Sequence, residues 1–140
     1  MRKATILLVG ILAAGIWFSS TSVSAQSDFD AFWTKFKAAV VAGDKVAVAN
    51  MTKFPLGMPY GYGNIRTRAE FLKRYEKYMN LEANVKRCFQ ATKPVKDEKA
   101  YAVSCTFKGN PETSDDRPIQ YYFAKTKTGW KFAGIDNINE

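Results

Sequence analysis

Residues 119–136 read IQYYFAKTKTGWKFAGID. Ile119, Tyr121 and Phe123 fall on alternate positions, Thr126-Lys127-Thr128-Gly129 supplies a turn, and Trp130-Lys131-Phe132-Ala133-Gly134-Ile135 runs back. Successive side chains of a strand point to opposite faces, so this pattern specifies an antiparallel hairpin. The same period begins earlier. From Ala83 onward Val85, Arg87, Phe89 and Ala91 alternate with Lys86, Cys88 and Gln90, and Tyr101, Val103, Cys105 and Phe107 alternate with small residues. This predicts a first hairpin that turns at Pro94–Lys99, separated from the second by the polar loop GNPETSDDRP at 109–118.

The half of the chain before these strands has a helical period. In SDFDAFWTKFKAAVVAG (27–43), Phe29, Phe32, Trp33, Phe36 and Val40 make one stripe, with Ser27 or Asp28 as the cap and Gly43 past the end. Asp44 caps a short second helix through DKVAVANM (44–51). In NIRTRAEFLKRYEKYMN (64–80), Thr67 and Glu70 form a capping box, and Phe71, Leu72, Tyr75, Tyr78 and Met79 form the buried face. Glu70, Lys73, Arg74 and Lys77 make an ordinary solvated outer face.

The first 26 residues, MRKATILLVGILAAGIWFSSTSVSAQ, have a basic start, a short apolar core and small residues ahead of a cleavage point after Ala25. They read as a secretory signal peptide whose apolar run is short of the ~20 residues that span a bilayer. Residues 26–140 are then one domain of 140 − 25 = 115 residues. The expected location is the periplasm or the exterior of the cell, with no stable membrane anchor after cleavage. In that setting Cys88 and Cys105 are expected to form a disulfide. A hairpin register that sets the two cysteines opposite each other leaves Phe89 and Val103 one residue out of step, which a bulge would reconcile.

The formal charge of +8 becomes +6 once Arg2 and Lys3 are removed. The basic residues are scattered among acids, the plain signature of solubility, and export excludes nucleic acid as the usual partner. Histidine is absent from the chain. Histidine general bases, Ser-His-Asp and Cys-His arrangements and imidazole metal sites are excluded with it. No cofactor is implied and no metal: Asp115-Asp116 lacks the spacing of a calcium loop. Asn50-Met51-Thr52 fits a glycosylation sequon, which carries little weight behind a bacterial-type leader.

Three helices followed by two hairpins resemble the nuclear-transport-factor-two-like, or cystatin-like, superfamily. The resemblance covers residues 27–136 and rests on AVVAGDKVAVANM, KFPL, TRAEFLKRY and TKTGWKFAGID. It implies an α+β fold in which a curved antiparallel sheet of four or more strands wraps the helices around a cone-shaped cavity. The fold hosts isomerases, cyclases, dehydratases and binding modules, so it does not assign a function. Isomerase-like members carry a carboxylate base just after the second helix. Here that stretch, NMTKFPLGMPYGYG, holds no carboxylate, and the histidine of the cyclase and dehydratase members is also missing.

The segment FPLGMPYGYGN (54–64) matches no phosphate-cradling register, because Gly57, Gly61 and Gly63 lack the lysine and hydroxyl that should follow. Its prolines and glycines predict a compact loop or short hairpin at the cavity mouth. Tyr60 and Tyr62 there are ligand-pocket candidates, against the plainer reading that they pack locally. Arg87, on an otherwise apolar strand face, is a candidate for an anionic ligand, against pairing with a surface carboxylate. Asp136 is the carboxylate considered for a cavity role, against duty as a cap.

The leading expectation is an exported binding or accessory module for a small hydrophobic or anionic ligand, without catalytic groups. The alternative is an isomerase-, cyclase- or dehydratase-like enzyme using Tyr60, Tyr62 and Asp136 as acid and base. A third reading is an interaction module, homodimeric through the outer face of the sheet.

Overall fold

A computed structural model describes residues 25–58, 63–80, 82–113 and 118–137. The chain runs α1 (Ala25–Ala42), α2 (Lys45–Asn50), β1 (Thr52–Gly57), α3 (Arg68–Lys73), α4 (Tyr75–Asn80) and α5 (Val85–Ala91). It continues through β2 (Val95–Asp97), β3 (Ala100–Cys105), a 3-10 turn at Pro111–Thr113, β4 (Ile119–Thr126) and β5 (Gly129–Asn137). The strands form one open five-stranded sheet in the order β1-β5-β4-β3-β2.

The hairpin at 119–136 folds as its alternation requires. Tyr121 pairs with Ile135 and Phe123 with Phe132, and a bulge between Tyr122 and Phe123 shifts the register. Ile119, Tyr121 and Phe123 are buried, while Gln120, Tyr122 and Ala124 lie on the other, half-buried face. The α+β class stands, with one difference: β1 joins the far edge parallel to β5, so the sheet is mixed. Gly57 and Gly134 are Cα partners there, and a methyl group built on Gly134 would stand 3.1 Å from the Gly57 carbonyl oxygen. Glycine is what lets these two backbones approach.

Of residues 54–64, residues 54–57 end β1, and residues 59–62 lie outside the described residues. Leu56 and Ile65 exchange N–H···O bonds of 2.9 and 3.1 Å as an isolated antiparallel bridge.

The helix ends follow local chemistry. α1 stops in a Schellman arrangement: Gly43, at φ 72°, donates to the Val40 carbonyl at 3.1 Å and Asp44 to that of Ala39 at 2.9 Å. α1 already contains Ala25, so Ser27 and Asp28 stand inside the helix and not ahead of it. Asp44 Oδ1 accepts from Ala47 N at 3.0 Å, and Thr67 Oγ1 accepts from Glu70 N at 3.1 Å. The expected long third helix breaks at Arg74 into α3 and α4, yet its buried face persists through Phe71, Tyr75, Tyr78 and Met79.

The larger correction concerns residues 85–91, which are a helix and not a strand. Asn84 Oδ1 accepts from Arg87 N at 3.2 Å as the N-cap, and Val85 and Phe89, four apart, are the residues α5 buries. The strand that pairs with β3 on this side is β2, in the segment expected to be only a turn. The disulfide Cys88–Cys105 therefore ties a helix to a strand. The register conflict of the expected hairpin disappears with it.

Aromatic side chains occupy the space between sheet and helices. Phe29, Phe36, Phe89, Tyr121, Phe123 and Phe132 are each at most 1% exposed. Phe123 meets Phe36 edge-on at 5.1 Å, and Phe89 meets Tyr121 at 5.3 Å. Where the resemblance implied a cone-shaped cavity, these rings pack against one another.

Candidate functional site

Of the residues singled out from sequence, Arg87 lies on α5 and Asp136 on β5. Tyr60 and Tyr62 lie outside the described residues, as do residues 1–24 of the leader and Asp115-Asp116.

Asp136 is the Cα partner of Gln120, and so it stands on the sheet face opposite to Tyr121 and Ile135. Its Oδ1 is buried with no hydrogen-bond partner among the described residues. Desolvation raises the carboxyl above its ordinary value. On the same face Tyr122 donates its hydroxyl hydrogen to Gln120 Oε1. The Tyr122 phenol is raised first by burial, then by Asp136 and Asp97. An acid and a phenol thus sit near each other on the outer sheet face, outside the helix-packed interior where the alternative enzyme would need them.

Arg87 is exposed on α5, and among the described residues its guanidinium has no hydrogen-bond or ion-pair partner. It does not share a strand face with Val85 and Phe89, because the helical turn sends those two inward. Arg87, Cys88 and Thr92 form one side of a groove of about 540 Å³, and Ser104, Thr106 and Lys108 form the other. The disulfide holds the two sides together at Cys88 and Cys105.

Lys108 is anchored at both ends. Its backbone N–H donates to the Glu82 carbonyl at 2.8 Å, and its Nζ donates to the Asn80 carbonyl. Among the described residues the groove thus combines an unpaired guanidinium, a fixed ammonium and three hydroxyls, with no carboxylate in its lining. Such a set donates hydrogen bonds and positive charge, so it suits an anion. The hydroxyls and Lys108 were not legible as site residues. The only sequence signal for the helical wall was Asn84, a good N-cap ahead of Val85 and Phe89.

Among the described residues no group of three or more Cys, Asp or Glu side chains gathers to hold a metal ion. No helix of the described residues is long and apolar enough to cross a membrane.

No family model and no curated protein matches the chain. Among solved structures it is similar to a nuclear-transport-factor-two-like (NTF2-like) protein with a cystatin-like fold from Novosphingobium aromaticivorans. That match has 11% identity and TM-score 0.43, covering 80% of this chain and 79% of the other. It is also similar to a domain of unknown function with a cystatin-like fold from Nostoc punctiforme, at 16% identity and TM-score 0.43, covering 86% and 80%. Both carry the fold name that the sequence resembled, and a likeness this distant says nothing about activity.

Proposed function

We propose that this chain is an exported binding module that holds a small anionic molecule in the groove between α5 and the end of β3. The observation that carries this reading is the Arg87 guanidinium, without a partner among the described residues, lining one groove with Lys108 and the hydroxyls of Thr92, Ser104 and Thr106. An arginine with no internal partner is free to form a bidentate pair with a carboxylate or phosphate. The aromatic filling of the interior supports a non-catalytic role, since it occupies the space where an enzyme of this fold would bind its substrate. The leader-like first 25 residues and the disulfide support export.

The test is mass spectrometry of small molecules that co-purify with the exported protein, compared with its Arg87→Gln variant. An anionic compound should be retained by the wild type and lost from the variant. Equal retention in both, or retention of neutral compounds alone, would count against the groove. An intact mass that includes the first 25 residues would count against export with cleavage.

A further inference from the structure

The groove between α5 and the end of β3 is also where the sheet stops short. The turn Glu98-Lys99 joins β2 to β3, so Asp97 and Ala100, which flank it, form a hydrogen-bonded pair. Alternate residues of a strand turn their backbone N–H and C=O to the same edge, so Ala102 and Ser104 also turn theirs to the β2 side. Tyr101, Val103 and Cys105 turn theirs to β4. β2 reaches only Val95, opposite Ala102, and the residue ahead of it, Pro94, has no N–H with which to extend the ladder. From Ser104 onward no strand of the described residues lies beside this edge of β3.

That edge faces the groove. Ser104 and Thr106 are exposed, and both line it. The Ser104 carbonyl oxygen stands 3.6 Å from Cys88 Sγ on the α5 wall, and a disulfide sulfur carries no hydrogen to donate to it. Among the described residues the Thr106 backbone has no hydrogen-bond partner. The edge closes again at Lys108, whose N–H donates to the Glu82 carbonyl at 2.8 Å. The open stretch therefore offers an acceptor at Ser104 and a donor at Thr106, the spacing at which one residue of an added parallel strand makes both of its backbone bonds.

Backbone pairing alone would accept any strand, and the surrounding charge narrows the choice. Lysine beside an open edge ordinarily deters strand addition. Here Arg87 and Lys108 flank the edge with no carboxylate in the lining among the described residues, which turns the deterrent into a preference for acidic residues. A groove of about 540 Å³ holds only a short segment.

We infer that the anionic ligand of this groove is a short acidic peptide in extended form. One of its residues bonds between the Ser104 carbonyl and the Thr106 N–H, and one of its carboxylates pairs with Arg87. This rests on the reading of the groove as an anion site and names the class of ligand.

The test is isothermal titration of the protein with a capped tetrapeptide that alternates glutamate and valine. The comparison ligands are its glutamine counterpart, the acidic peptide N-methylated on its two central amides, and glutarate, a dicarboxylate without an amide. The acidic peptide should bind saturably, about tenfold or more tighter than the glutamine and N-methylated peptides, and Arg87→Gln should weaken it by a similar factor. Arg87 is exposed, so the variant should fold, which its circular dichroism melt verifies. Hydrogen exchange at the Thr106 amide should slow when the acidic peptide is bound and not when glutarate is. If glutarate binds as tightly as the peptide, or N-methylation changes neither the affinity nor the exchange at Thr106, the edge is unused. The inference then falls and the anion groove stands. If neither the peptide nor glutarate binds, both fall. A glutamine peptide that binds as well as the acidic one would mean that charge does not select the ligand, and the inference would fall with it.

Discussion

Asp136 shows how a single side chain on the sheet tunes pH dependence. In the fold its Oδ1 is buried without a partner among the described residues, and its carboxyl is raised by desolvation. The folded state therefore holds the proton more tightly than the unfolded chain does. Its contribution to stability is full below the ordinary carboxyl value and is lost as pH rises through the raised one. Asp136→Asn is neutral at every pH, so it should be more stable than the wild type near pH ~7 and nearly equal to it near pH ~3. Denaturant melts of both proteins at the two pH values measure this directly, and the difference between them cancels the titration of the other carboxylates. A variant less stable at neutral pH would mean that the ionised carboxylate is stabilised by a partner.

At the scale of elements, α5 is where sequence and structure part. The alternation Val85, Arg87, Phe89, Ala91 suits a strand, but Val85 and Phe89 are also four apart and suit one helix face. A run of seven residues satisfies both periods, and the cap decides between them. Asn84 supplies the side-chain acceptor that the first turn needs, and Pro94 follows soon after the end. The longer elements were legible because they contain enough turns or alternations for one period to win: the stripe of α1, the hairpin β4–β5, and the caps at Asp44 and Thr67. β1 was hidden because its Pro55 and Gly57 resemble a loop, and its parallel partner lies about 80 residues away, beyond what a local pattern encodes.

The α5 helix is only seven residues long and would be marginal alone, so its attachment to β3 through Cys88–Cys105 matters. Replacing both cysteines by alanine should lower stability by roughly 3 kcal/mol, the loop-closure value for a separation of this size. Chemical denaturation of the wild type and the double variant measures the loss. Amide exchange should speed up most in residues 85–91, because α5 keeps only Val85 and Phe89 as buried anchors.

For the whole molecule, what fills the interior determines where a ligand can go. Phe123 sits at the centre, with ring centroids 5.9 Å from Phe32, 5.6 Å from Trp33, 5.1 Å from Phe36 and 5.7 Å from Phe132. Rings contributed by α1 and by β5 converge on it, so the helix layer and the sheet are joined by the same packing that excludes a guest. Phe123→Ala should cost about 3–5 kcal/mol, because a void remains where the neighbours cannot fully collapse. That void would be lined by apolar atoms, dry, and large enough for a small aromatic molecule such as benzene. Benzene should therefore raise the melting temperature of Phe123→Ala and leave the wild type unmoved. If the wild type gained as much as the variant, its interior would already be open to apolar guests. The cationic groove between α5 and the end of β3 would then lose its claim to be where this protein binds.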